Sequence, residues 1–181
     1  MSRIRSRSFI FNFEIALILA CLLGSTACKR ERKVQAAPPQ DARTGLINVA
    51  DPRVTTRLVR GFYGTDNAYW RWTARESSII LNPPKGADQR GAVLVLDFAI
   101  VDEVLAIVKS QNLTVAVNGF VLPVQHYDRS GRFTLRQDVP ASALKYETVG
   151  VDFTLDKALP PTPSNPGGIG IIIARVGLES K

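Results

Sequence analysis

Cysteine is nearly absent: Cys21 and Cys28 are the only two in 181 residues, and both precede the part of the chain that has the texture of a folded domain. No disulfide can staple that part, so its apolar core must hold it alone. Histidine is scarcer still, with His126 the single one. One histidine and no cysteine nearby cannot fill the four positions of a structural zinc site. A Ser-His-Asp triad would have to be built on "QHYDRSG", which has no nucleophile elbow. No metal and no cofactor is therefore expected, and His126 reads as a polar residue at the end of a hairpin. Excess basic charge is lacking too, once the chain is divided. The formal charge of +7 includes Arg3, Arg5, Arg7 and Glu14 of an N-terminal leader. Without them Lys and Arg number 20 instead of 23, and Asp and Glu 15 instead of 16, leaving +5. Residues 28–43 hold five basic and two acidic side chains, so the remainder carries +2. That near-neutrality removes the electrostatic footprint of a nucleic-acid binder. No internal repeat is evident.

What is there begins with the leader, "MSRIRSRSFIFNFEIALILACLLGSTACKR". Three arginines precede an apolar run from Ile15 to Leu23, followed by the small residues Gly24, Ser25, Thr26 and Ala27. This is the basic region, short apolar region and small-residue cleavage zone of an export signal, too short for a membrane span. Cys28, directly after Ser-Thr-Ala, resembles the lipobox cysteine of bacterial lipoproteins, with Ser25 where that pattern has Leu; "ILAC", ending at Cys21, is a second candidate. The resemblance implies a signal peptide over 1–27 and lipidation of Cys28, whose acyl chains would anchor the protein at roughly 0.8 kcal/mol per buried methylene. Lys29 after the cysteine favours the outer membrane under the bacterial sorting rule.

Residues 28–53 are charged and then Pro/Ala-rich, and read as a flexible tether in which Pro38-Pro39 favours an extended chain. From residue 54 to 181, short runs rich in Val, Ile, Leu, Phe and Tyr recur at even spacing between Gly, Pro, Asn and Asp clusters. That pattern predicts an all-β fold, an antiparallel, jelly-roll-like β-sandwich of about nine strands with one short helix. Strands are expected near 55–63, 69–74, 77–82, 92–100, 112–117, 120–127, 131–137, 147–155 and 169–178. In "NLTVAVNGFVLPVQ", Asn118-Gly119 supplies the positive φ angles of a type I′ turn, pairing Val117 with Phe120, Val115 with Leu122 and Leu113 with Val124. Pro123, without an N–H, predicts an edge strand or a bulge there. "VDEVLAIVKSQ" spaces Val101, Val104, Leu105 and Val108 as a helical stripe with Asp102 and Glu103 in its first turn.

"GFY" followed by "RWT", then "VAVNGFVL", then "DKALPP" and a closing "GIGIIIARVGL" resembles a β-sandwich module of bacterial envelope proteins that is similar to carbohydrate-binding jelly rolls attached to some glycosyltransferases. Gly61, Phe62, Tyr63, Arg71, Trp72, Thr73, Asn118 and Gly119 are the matching positions, over roughly residues 55–180. The resemblance implies a sandwich and glycan recognition, and the loop "NPGG" departs from it.

Both tryptophans of the chain fall in "GFYGTDNAYWRWTA". Period-2 alternation puts Ala68, Trp70, Trp72 and Ala74 on one face and Tyr69, Arg71 and Thr73 on the other. Trp72 is expected to anchor the core, and Trp70 with it unless a bulge turns it outward. Tyr69, Trp70 and Arg71 are the candidates for holding a glycan: rings to stack on and a guanidinium fork for hydroxyls or acids. A salt bridge from Arg71 to an acid such as Glu76 is the structural alternative. Glycosidase chemistry needs two carboxylates about 5–10 Å apart, and Asp97, Asp128, Asp138, Glu147, Asp152 and Asp156 are available. The expectation is a non-catalytic, lipid-anchored envelope protein that recognises an envelope glycan. A structural adaptor docking on another envelope protein is the alternative, and a glycan-modifying enzyme the weaker one.

Overall fold

A computed structural model describes residues 45–64 and 67–181. The signal peptide, Cys28 and most of the expected tether lie outside the described residues. Ten strands follow in chain order: β1 (Leu46–Asn48), β2 (Leu58–Phe62), β3 (Arg71–Leu81), β4 (Ala92–Ile100), β5 (Gln111–Val117), β6 (Phe120–Val121), β7 (Gln125–Tyr127), β8 (Gly131–Val139), β9 (Val149–Leu155) and β10 (Ile172–Ser180). Two short helices, α1 (Ala87–Arg90) and α2 (Asp102–Val108), interrupt them. The all-β expectation holds.

The strands form one antiparallel sheet ordered β6-β5-β9-β3-β10-β4-β8, with β1 on β10, β2 on β3 and β7 on β5. The sheet folds over at β3. Arg71 and Trp72 pair with Ile173 and Ile172 of β10, whereas Glu76–Leu81 pair with β9. One layer thus holds β1, β10, β4, β8 and the start of β3, and the other holds β2, the rest of β3, β9, β5, β6 and β7. From β3 onward every connection except the β5-β6-β7 meander crosses between the layers, as in a jelly roll.

Alternation decides which residues meet inside. Leu94, Leu96, Phe98 and Ile100 of β4, Leu135 and Val139 of β8, and Ile173, Val176 and Leu178 of β10 face Ile79 and Leu81 of β3, Leu113, Val115 and Val117 of β5, and Val149, Val151, Phe153 and Leu155 of β9. Each fully buried aliphatic or aromatic side chain adds about 1.5–3 kcal/mol relative to exposure, which is how a domain without disulfides is held. In β10 the register shifts between Ile173 and Arg175, so Ala174 is an extra residue. This bulge returns Val176 to the core opposite Leu96 and turns Arg175 outward opposite Asp97.

Several expected elements shift. The strands expected at 69–74 and 77–82 are one strand, β3. The fold begins before residue 54: β1 pairs with β10, and Val49 is fully buried. A 3₁₀ helix, Pro52–Arg57, follows, its start capped by Asp51, which accepts from the Arg53 backbone N–H at 2.9 Å. Hydrogen bonds from Arg53 hold the Asp51 carboxyl below the usual carboxylate range. The hairpin turn forms with φ +47° at Asn118 and +81° at Gly119. Val117 pairs with Phe120, and Leu122 N–H donates to the Val115 carbonyl at 2.8 Å. Beyond Pro123 the pairing slips by one, so Leu113 faces Gln125 instead of Val124. Val124 is left exposed.

Candidate functional site

The outer face of the β3-β10-β4-β8 layer carries a groove of about 770 Å³. Cross-strand register sets its floor. Trp72 lies opposite Ile172, Ile172 opposite Ala99, and Ala99 opposite Arg132. This row runs across four strands, with an aromatic ring at one end and a guanidinium at the other. A second row places Arg175 and Thr134 on either side of Asp97. Tyr69 and Trp70 stand beside the floor, Phe98, Val101, Phe133 and Ala174 complete the lining, and Trp72 lies at its edge against Trp70.

The aromatic wall is built by local hydrogen bonds. The Asn67 side-chain oxygen accepts from the backbone N–H of Tyr69 at 2.8 Å and of Trp70 at 3.0 Å, fixing a tight turn. Asn48 of β1 donates to the Ala68 carbonyl at 2.8 Å, tying that turn to the sheet. Trp70 and Trp72 meet edge to face, with centroids 6.2 Å apart and planes at 85°, the arrangement that the ring quadrupoles favour. Tyr69 is 74% exposed, and Trp70 is half-buried.

The polar row is internally satisfied. Arg175 pairs with Asp97 at 2.6 Å and donates a second bond through Nε at 2.8 Å, while the Thr134 hydroxyl donates to the other Asp97 oxygen at 2.7 Å. Arg132 is exposed, and no side chain among the described residues pairs with it. Among the described residues the lining therefore holds two guanidiniums and one carboxylate.

Of the expected site residues, Tyr69 and Trp70 line this groove and Arg71 does not. Arg71 lies opposite the buried Ile173, and its guanidinium donates to the carbonyls of Val49 at 2.7 Å and Tyr63 at 3.2 Å. Nor does it pair with Glu76, which binds Arg60 at 2.9 Å. Trp72 is not the core anchor: it is a half-buried ring on the outer face, and Thr73 is buried in its place. Trp72 is turned outward by its pairing with the outer-face Ile172; the alternation of Ser77, Ile79 and Leu81 breaks before it reaches Trp72, with Ala74 buried and Arg75 exposed. No pattern in the sequence carries this; only pairing with β10 shows it. Arg132, Thr134 and Arg175 carry no motif, and only pairing with β4 assembles them.

The remaining motif residues form a scaffold. The Tyr63 hydroxyl donates to the Gly168 carbonyl at 2.7 Å and accepts from Gly167 N–H at 3.1 Å, pinning the loop before β10. Phe62 packs against the core. Gly61 has φ +70°, and a Cβ there would strike the Glu76 carbonyl. Asn118 donates to the Ala143 carbonyl at 3.0 Å and accepts from Gly150 N–H at 3.0 Å. His126 is exposed, with Nδ1 2.8 Å from the Asn112 side-chain oxygen. Among the other carboxylates, Asp138 pairs with Lys181 at 3.2 Å, Asp152 bonds Ser78, and Asp156 accepts from the Asn112 backbone at 2.7 Å. Asp128 and Glu147 are exposed. Among the described residues, no group of three or more His, Cys, Asp or Glu could hold a metal ion.

No family model and no curated protein matches the chain. Solved structures do. A family GH115 4-O-methyl-α-glucuronidase with specificity for decorated arabinogalactans is similar at 12% identity and TM-score 0.47, over 83% of this chain and 20% of that one. A structure of CBM51-2, in complex with GlcNAc, and INT domains from Clostridium perfringens ZmpB is similar at 16% identity and TM-score 0.37, over 68% of this chain and 27% of that one. An exo-β-1,3-galactanase from Phanerochaete chrysosporium, with galactose, is similar at 13% identity and TM-score 0.32, over 60% and 23%. The chain thus spans a fifth to about a quarter of the length of these neighbours.

Proposed function

We propose that this protein is an exported lipoprotein, anchored through Cys28 on the outer membrane, whose β-sandwich binds an envelope glycan without transforming it. The observation that carries the reading is the outer-face groove, where Tyr69 and Trp70 stand over an apolar floor beside a row of hydrogen-bonding side chains. A sugar ring offers C–H groups on its face and hydroxyls around its rim. The negative face of an aromatic ring attracts the first, and planar guanidinium and carboxylate groups bind the second. Binding rather than hydrolysis is supported by Asp97, the single carboxylate among the described lining residues, which is engaged by Arg175 and Thr134, since glycosidases commonly use two.

Affinity electrophoresis through gels containing purified envelope polysaccharide tests this. The wild-type domain should be retarded, and Tyr69→Ala and Trp70→Ala should each weaken binding by about 1 kcal/mol, roughly fivefold, while thermal unfolding stays unchanged. Arg71→Lys should not alter retardation, because that side chain faces away from the groove. Unretarded wild-type protein would defeat the reading. For the anchor, Cys28→Ser should abolish labelling by radiolabelled palmitate and release the protein from membranes; labelling that persists would move the site to Cys21 or remove it.

A second reading, an adaptor for another envelope protein, is favoured by the exposed Phe120, Val121 and Val124 beside Pro123 at the β6 edge. It predicts a specific cross-linked partner, lost on Val121→Asp, and no glycan affinity.

A further inference from the structure

The two ends of the groove differ in chemistry, and their separation is set by the sheet. The aromatic wall stands just before β3, against Trp72, and Arg132 lies on β8, the fourth strand of the row. Neighbouring strands are about 4.8 Å apart, so Arg132 lies about 14 Å from Trp72 and about 10 Å from Ile172. Between them the floor is Ile172 and Ala99, with no charge of its own. Asp97, the one carboxylate among the described lining residues, is already paired with Arg175, whose outward position depends on the bulge at Ala174. Among the described residues no side chain pairs with Arg132, whose guanidinium is left over the groove.

We infer that the groove selects an acidic oligosaccharide, one sugar stacking on Tyr69 and Trp70 while a carboxylate on a neighbouring sugar is received by Arg132. This rests on the glycan reading above and narrows it to a class of substrate. A free guanidinium is the side chain whose planar fork matches a carboxylate with two parallel hydrogen bonds. A neutral glycan offers that fork only hydroxyls, without the charge-assisted, bidentate pair. A single uronic acid would not reach both ends of the row, so the smallest effective ligand has at least two sugar units. An acidic protein segment could satisfy Arg132 as well, but it lacks the flat C–H face that the ring wall and the uncharged floor accommodate.

Polygalacturonate, alginate and hyaluronan serve as probes, each paired with its carboxyl-reduced counterpart, which keeps the backbone and linkage and removes only the charge. Wild-type protein should bind at least one acidic polymer roughly tenfold more tightly than its reduced form, with the difference shrinking as salt rises. Arg132→Gln should erase that difference, and Arg132→Lys should restore part of it. Both variants should unfold at the wild-type temperature, since Arg132 has no partner to lose. Equal affinity for acidic and reduced forms, or a preference that survives Arg132→Gln, would overturn the inference. Equal affinity for the two forms that still falls on Trp70→Ala would overturn it while leaving glycan recognition intact. Binding to none of the six polymers would overturn it as well.

Discussion

Thr73 shows how much one small side chain does here. Its hydroxyl, 1% exposed with its residue, donates to the Ile171 carbonyl at 3.1 Å and accepts from Ile171 N–H at 3.2 Å. It thereby clips β3 to the segment entering β10. Like Tyr63 of "GFY", it builds the site's support rather than its surface. Tyr127 is a half-buried polar handle. Its ring sits 5.2 Å from Phe98 and 4.8 Å from Phe133, and burial pushes its phenol above the ordinary range. A phenol harder to ionise when folded costs nothing at neutral pH. Stability is lost only as pH rises through the unfolded value near 10. Tyr127→Phe should therefore leave urea stability at pH 7 within about 0.5 kcal/mol of wild type and flatten the decline above pH 10.

Among the elements, the Asn118-Gly119 hairpin and the β10 bulge are built on opposite kinds of information. The hairpin was legible because Asn-Gly is one of few dipeptides at ease with two positive φ angles. Asn118→Ala should cost about 1–2 kcal/mol in urea unfolding, from a non-glycine φ of +47° and the lost bonds to Ala143 and Gly150. The bulge was not legible. Ile171–Ile173 are all apolar, so the run hides its own phase, and only pairing with β4 shows that Ala174 is the extra residue. By contrast β9 reads from clean alternation and β4 from its apolar run, whereas the face of Trp72 is hidden because the alternation of Ser77, Ile79 and Leu81 breaks at Ala74 and Arg75. The tether boundary moved for a similar reason: three residues, Leu46–Asn48, are too few to show a period, but they gain partners from β10.

At the scale of the molecule, the two layers serve different ends. Their inner faces supply the core on which a disulfide-free domain depends, and the outer face of one layer carries the groove, assembled from four strands distant in sequence. Tyr69, Trp70, Asp97, Arg132 and Arg175 share no motif, which is why the sequence showed only the aromatic part of the site. The same architecture supplies a direct test, because the only two tryptophans of the chain are Trp70, on the groove wall, and Trp72, against its edge. Intrinsic tryptophan emission followed during titration with purified envelope polysaccharide should change saturably, at the concentrations that retard the protein in affinity gels. The Tyr69→Ala/Trp70→Ala double variant should lose both responses while remaining folded. Saturable binding with unchanged emission, or undiminished binding by the double variant, would contradict the assignment of this groove as the glycan site.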